Sequence, residues 1–182
     1  NYESSRKHLP PSVKIDYSNA IGSNIGWGVH GHLMPFMEQQ SLRNQIVLEN
    51  PWDGQMVISN VRIPGFQCPS DARSEEVRDT GTNKPFLYPT NYGFNMGTWM
   101  VYDPSTQTGG DGAFYPNSNL PLSRVADGTS NTLLIGEVKA WTPYTRNGGS
   151  SAVAIPNTVA EATPQEAAGS EKEDTRHTEW AH

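Results

Sequence analysis

The sequence has 182 residues and a net charge of −6, from 13 basic and 19 acidic side chains. A chain of this length can bury one sizeable core, so we expect a single domain over residues 1–182. The basic residues are scattered, which excludes the clustered cationic face that a nucleic acid partner requires. Cys68 is the only cysteine, which excludes an intrachain disulfide and a cysteine-based zinc site within this sequence.

The N-terminal residues predict the end of a helix. Residues 1–9 have a helical composition, and Pro10 and Pro11 then stop the helix. The chain does not begin with Met, and it contains no apolar run near the roughly 20 residues that cross a bilayer. We therefore expect residues 1–9 to be the remnant of a longer N-terminal helix whose upstream part is missing here.

The middle of the chain predicts one helix and several strands. Residues 27–33 are expected to be extended, whereas residues 36–48 mix apolar and polar positions as an amphipathic helix does. Residues 91–102 are rich in aromatic and β-prone side chains and predict a strand. The clearest predicted strand is residues 132–138, which follows a polar turn at residues 127–131.

Long connections separate these elements, since the chain contains 17 Gly and 14 Pro. Residues 71–85 and 103–112 are predicted to be exposed loops. Residues 147–176 are acidic and contain no aromatic side chain, which predicts a long loop or a partly disordered segment. The composition as a whole favours an α+β or mainly β fold.

A calcium site is one hypothesis for the polar turn before the predicted strand. Asp127, Thr129 and Asn131 stand at alternate positions, as the oxygen ligands of calcium loops do. The spacing does not match an EF-hand, because Gly128 comes early and Glu137 falls one place short. The alternative is an ordinary turn whose polar side chains bond to the nearby backbone.

The other candidate residues favour structural roles. His30 and His32 would project from one face of a strand, a spacing that metals use, but further ligands are not evident near them. Cys68 is expected to be a buried, unreactive side chain before the turn at Pro69. The motifs of common hydrolases, nucleotide-binding proteins and zinc proteases do not occur, so we expect that the protein is not an enzyme and needs no cofactor.

Four segments in a fixed order resemble a known family. They are NYESSRKHLPPS (residues 1–12), GWGVHGHLMPFMEQQSL (26–42), FQCPSD (66–71) and VADGTSNTLLIGEV (125–138). This order resembles DUF1559, a large bacterial family of unknown function that is also filed as solute-binding-like and is often labelled pseudopilin G-like. KAWTPYTRNGG (139–149) and HTEW (177–180) are similar to the family's later segments.

The resemblance implies a pilin-like α+β fold, in which an N-terminal helix packs on an antiparallel sheet. It also implies an exported, non-enzymatic structural subunit of the cell envelope or cell surface. A missing N-terminal helix would anchor it in the inner membrane or in a filament, and other pilin-like subunits or the secretion machinery would be its partners. Trp27 and Phe36 would then be buried anchors, and Asp71 and Asp127 would build turns.

A second hypothesis is an extracellular carbohydrate-binding module. Trp52, Trp99 or Trp141 would serve as an exposed stacking platform for a sugar ring. An exposed coplanar aromatic pair would favour this hypothesis. An enzyme is the third alternative and would require a deep pocket with convergent titratable side chains.

Overall fold

The computed structural model describes residues 1–18, 26–98, 101–103, 106–142, 144–146, 156–167 and 170–172. Within these ranges there are four α-helices: α1 Tyr2–Arg6, α2 Val29–Leu33, α3 Gln40–Arg43 and α4 Val159–Ala167. Six short strands accompany them: β1 Tyr92–Phe94, β2 Tyr102–Asp103, β3 Thr108–Gly109, β4 Ile135–Glu137, β5 Tyr144–Arg146 and β6 Ser170–Lys172. No helix among these residues is long and apolar enough to cross a bilayer.

The predicted N-terminal helix is present as α1, and local signals define both of its ends. The Asn1 side chain accepts a hydrogen bond from the backbone N–H of Ser4 at 2.9 Å, which caps the first turn. Lys7 adopts a left-handed conformation with a φ of 64°, which ends the helix. Helix α1 buries none of its residues, and packing of this helix on an antiparallel sheet, as a pilin-like fold implies, stays a prediction.

The predictions for residues 27–48 are wrong in two respects. The segment expected to be extended forms α2, which starts after Gly28. The expected long amphipathic helix is broken into a 3₁₀ turn over Met34–Phe36 and the short helix α3. Glu38 lies between these pieces with a φ of 60°, a conformation that a continuous right-handed helix does not contain.

The strands pair as three separate two-stranded antiparallel sheets, β1–β4, β2–β3 and β5–β6. In the first sheet Tyr92 lies opposite Glu137 and Phe94 lies opposite Ile135. The predicted strand at residues 132–138 is therefore confirmed, although β4 covers only its second half. Short helices and small antiparallel sheets together give the chain a mixed α+β character.

Regular structure also occurs where the sequence predicted loops. An antiparallel bridge pairs Arg78 with Leu87, and β3 pairs with β2 as a hairpin. Residues 147–176 were expected to be a long loop, but their described part contains α4 and β6. The sequence did not predict α4 and β6, because residues 147–176 contain few apolar side chains and so give only a weak amphipathic pattern.

Two hydrophobic clusters form the core. The larger cluster comes from residues 27–87 and has at its centre the fully buried side chains of Trp27, Met34, Ile58 and Leu87. The smaller cluster combines Leu9, Val29, Ala113 and Phe114, with Phe94 and Leu134 packed against it. Because Val29 and Trp27 lie in different clusters, the start of α2 connects the two parts of the core.

Candidate functional site

The Asp71 carboxylate joins three distant segments of the chain. Its Oδ2 accepts hydrogen bonds from the backbone N–H of Ala140 and from Nδ2 of Asn91, both at 2.8 Å. Its Oδ1 accepts a hydrogen bond from the backbone N–H of Arg73 at 3.0 Å. These bonds, that from Ala140 first, hold the pKa of the Asp71 carboxyl below its usual value, so the ionised form is the stable one.

Asn91 completes this arrangement, which we call the Asp71 junction: Asp71, Asn91 and the backbone of Cys68, Val138 and Ala140. The Asn91 side chain donates to the carbonyl of Val138 at 3.0 Å and accepts from the backbone N–H of Cys68 at 2.8 Å. Its backbone N–H donates to the carbonyl of Phe66 at 2.9 Å. The FQCPSD segment is thereby fixed to β1 and to the chain that follows β4.

A small pocket of about 650 Å³ lies beside the junction, and Cys68, Arg73, Lys139 and Trp141 are among its lining residues. The Trp141 indole donates to the carbonyl of Arg73 at 3.0 Å, and the Arg73 guanidinium lies 4.3 Å from the Trp141 ring centroid. This cation–π contact occupies one face of the ring. Cys68 is only partly buried, so the expectation that it is fully buried is wrong.

A second, larger cleft of about 1200 Å³ lies between the N-terminal segment and residues 32–51. We call it the basic cleft, because its charged lining includes Arg6, Lys14 and Arg43 together with Asp16 and Glu49. Asp16 is already engaged, since its Oδ1 accepts hydrogen bonds from the backbone N–H and the hydroxyl of Ser18, at 2.9 Å and 2.7 Å. The lining thus has three cationic and two anionic side chains, a small excess of positive charge within an acidic chain.

Two polar atoms in the lining of the basic cleft have no hydrogen-bonding partner among the described residues. They are the buried Nε2 of His32 and the buried Oγ of Ser118, whose residue is 5% exposed. Burial, together with the nearby positive charges of Lys14 and Arg43, lowers the pKa of His32 to about 4. His32 is therefore neutral at pH 7.

His30 has a different environment from His32. Its residue is only 5% exposed, and burial lowers its pKa to about 4. The imidazole lies edge-on to the rings of Phe66 and Phe94, with centroid distances of 4.7 Å and 4.9 Å. Because α2 is a helix, residues two apart project to opposite sides. The predicted HxH face is therefore wrong, and the two imidazoles do not form a metal-binding pair.

Hydrogen bonds organise the turn that contains the calcium candidates. The Thr132 hydroxyl donates to Oδ1 of Asp127, and Nδ2 of Asn131 donates to the Asp127 carbonyl at 2.8 Å. Asp127, Thr129 and Asn131 are all exposed. No group of three or more His, Cys, Asp or Glu side chains arranged to hold a metal occurs in the part of the chain that the structure describes.

The aromatic residues predicted as sugar-stacking platforms or as core anchors lie in different parts of the structure. Trp52 is 7% exposed and belongs to the larger core cluster, so it is not a stacking platform. Trp99 lies outside the described residues. Trp27 is a buried anchor, as expected, and its indole N–H donates to the carbonyl of Asn50 at 3.0 Å. Phe36 is only half-buried, and its ring lies 5.5 Å from that of Tyr2.

Sequence analysis missed the residues that line the basic cleft. Arg6, Lys14, Arg43 and Ser118 lie far apart in the sequence and do not form a motif. It also missed Asn91, whose role depends on contacts with residues at both ends of the FQCPSD segment and after β4. The Asn-Tyr pair at the start of β1 is too common to indicate such a role.

Comparison with protein-family models gives a match over almost the whole chain. The sequence model of SBP_bac_10, described as a protein of unknown function (DUF1559), matches residues 1–181. Neither the curated proteins nor the solved structures include a match to this chain. A match over almost the whole length shows that the chain belongs to the DUF1559 family.

Proposed function

We propose that this chain is the head of an exported, pilin-like structural subunit of the bacterial cell envelope, and that it is not an enzyme. The observation that supports this proposal is that the Asp71 carboxylate is hydrogen-bonded within the protein. This carboxylate is the most distinctive acidic group of the FQCPSD segment, and its two oxygens receive three hydrogen bonds from the protein itself. A carboxylate offers about four acceptor positions, so the protein itself uses most of those on Asp71, which favours a structural role.

The polar turn before β4 supports the same proposal. Within this turn the Asp127 carboxylate accepts a hydrogen bond from the Thr132 hydroxyl, and the Asn131 side chain donates one to the backbone carbonyl of Asp127. The segments by which the chain resembles pilin-like proteins thus contain turns and joints, which a structural subunit requires. In this proposal an N-terminal helix anchors the head in the inner membrane or in a filament, and the partners are other pilin-like subunits or the secretion machinery.

The proposal predicts a specific sequence upstream of residue 1 in the full-length protein. Its gene must encode an apolar stretch of roughly 20 residues before Asn1, preceded by a prepilin-type processing motif. When the full-length protein is expressed in a bacterial host, it should fractionate with the membrane or with sheared filaments. Residues 1–182 exported behind a cleavable secretory signal form the matched control, and they should fractionate as free protein.

Two results would contradict the proposal. The first is membrane or filament attachment of exported residues 1–182 without the upstream segment. The second is a robust turnover activity that a single His, Asp or Cys substitution abolishes while the protein stays folded.

A further inference from the structure

The basic cleft has features that the structural role does not use. It has a volume of about 1200 Å³, at the upper end of or above the usual range for small-molecule sites. Arg6 and Lys14 project from the two chain segments on either side of Pro10 and Pro11, and Arg43 comes from α3. Arg43 uses one guanidinium N–H for the carbonyl of Ile46 at 3.0 Å, which leaves its other donors available.

Charged side chains of the cleft influence the His32 imidazole. Lys14, Arg43 and Arg6 all act electrostatically on His32, and Glu49 is the opposing charge. Arg6 and Lys14 are exposed and Arg43 is partly exposed, so all three cations can meet a charged ligand that enters the cleft. The remaining titratable side chains in the lining are Tyr2, His8 and Asp16.

The second observation is independent of charge. Ser118 is 5% exposed, its Oγ lacks a hydrogen bond to any described residue, and the residue lines the cleft. A buried hydroxyl without a partner is costly, since its desolvation is not compensated. Nε2 of His32 is in the same situation within the same cleft. Both atoms are shielded from solvent in the unliganded cleft, so a ligand with hydroxyl groups would give them their missing bonds once the wall of the cleft shifts.

We propose that the basic cleft binds a small hydroxylated molecule carrying an oxyanion group, either a carboxylate or a phosphate. Arg6, Lys14 and Arg43 would hold the oxyanion, while Ser118 and His32 would bond to neighbouring hydroxyl groups. The edge-to-face rings of Tyr2 and Phe36 form an apolar part of the wall for the C–H face of the ligand. This inference does not depend on the proposed structural role, because a filament subunit can also bind a solute.

Titration calorimetry of the 182-residue chain at low salt tests the proposal with three matched probes: glucuronate, glucose 6-phosphate and glucose. At least one anionic probe should bind with a dissociation constant of about 1 mM or lower, and at least about tenfold more tightly than glucose. Preference for glucuronate identifies a carboxylate ligand, and preference for glucose 6-phosphate identifies a phosphate ligand. Equal affinity for all three probes, or no binding of either anion, overturns the proposal.

Substitutions inside and outside the cleft test whether the probe binds there. Lys14→Gln and Arg6→Gln should each weaken binding of the anionic probe by about tenfold, since each removes a charged donor. Arg124→Gln removes an exposed cation outside the cleft and is the matched control. An equal loss of affinity in Arg124→Gln would show that the probe responds only to net charge, and would overturn the proposal.

Ser118→Ala separates binding from folding. Because Oγ of Ser118 has no described protein partner, its removal should leave the urea midpoint unchanged or raise it, yet weaken binding by about fivefold or more. The His32 imidazole, followed by NMR, should show a rise in pKa when the anionic probe is bound, because the bound negative charge favours the imidazolium. Unchanged affinity in Ser118→Ala together with an unchanged His32 titration would overturn the proposal.

Discussion

Nε2 of His30 lies 3.0 Å from Oγ1 of Thr90, a residue 60 positions later in the chain, and both side chains are buried. The Thr90 hydroxyl has one proton, and its carbonyl partner is Phe66 at 3.1 Å. The neutral Nε2–H tautomer of His30 is the one that allows both bonds at once, because the single hydroxyl proton can serve only one acceptor. The bond between His30 and Thr90 connects α2 to the start of β1, between the two hydrophobic clusters.

The buried imidazole of His30 predicts a loss of stability in mild acid. Its pKa is about 4 in the folded protein and about 6.5 when unfolded, so the unfolded chain binds a proton first as the pH falls. The stabilising contribution is complete above about pH 6.5 and is lost progressively between pH 6.5 and 4. We expect a decrease of about 3 kcal/mol in the free energy of unfolding from His30, measured by urea denaturation.

His30→Gln should reduce that pH dependence, although the variant is itself less stable at pH 7. His32 has a similarly lowered pKa, so part of the slope should remain in the single variant. A parent protein whose free energy of unfolding is constant between pH 6.5 and 4.5 would contradict the prediction.

Asp71→Ala should destabilise the protein by about 1–3 kcal/mol, because it removes the acceptor of three hydrogen bonds and leaves Asn91 and Ala140 with unsatisfied donors. Asp79→Ala is the matched control, since the Asp79 carboxylate accepts from the backbone N–H of Gly81 in an exposed turn. Its effect on the free energy of unfolding should be clearly smaller. Equal urea midpoints for the two variants would contradict a structural role for Asp71.

Gly112→Ala should destabilise the protein by about 3 kcal/mol. A Cβ atom on Gly112 would lie 1.9 Å from the carbonyl carbon of Met96 and 2.2 Å from the nitrogen of Gly97, so two backbone segments would have to separate. Gly136→Ala is the control, because a Cβ there would meet no atom within 4 Å. Thermal unfolding should show a large loss of Tm for the first variant and almost none for the second.

A calcium titration tests the hypothesis that the turn at residues 127–131 binds calcium. We expect calorimetric titration with calcium to give no binding heat in the micromolar range, because Asp127 and Asn131 already bond within the turn. Asp127→Ala distinguishes the alternatives. Heat in the parent protein that disappears in Asp127→Ala would establish a calcium site at Asp127, Thr129 and Asn131.

Local signals in the sequence were sufficient for some elements. A helix within residues 1–9 was predicted from local composition and from Pro10 and Pro11, and α1 lies there, although it ends earlier, at Arg6. The strand around β4 was predicted from a run of β-prone residues after a turn. The order of short segments also identified the family, which the match over residues 1–181 confirms.

Other predictions failed because the deciding interactions are not local. Residues 27–33 contain β-prone side chains, but packing of Trp27 and Val29 into the two core clusters accompanies a helix there. The long helix predicted for residues 36–48 is interrupted by the positive φ of Glu38, which the helical pattern does not indicate. Tertiary contacts can override local propensity wherever burial contributes more free energy than the propensity itself.

The sequence by itself determined the family, the presence of a short N-terminal helix and the position of the β4 strand, because these depend on neighbouring residues and on short segments in order. Only the tertiary structure decided that Asn91 completes the Asp71 junction and that Trp52 is buried. It also brought Arg6, Lys14, Arg43 and Ser118 into one cleft. The physical reason is distance along the chain: hydrogen bonds and charges act between side chains that folding brings together, and single-sequence patterns do not record which residues meet.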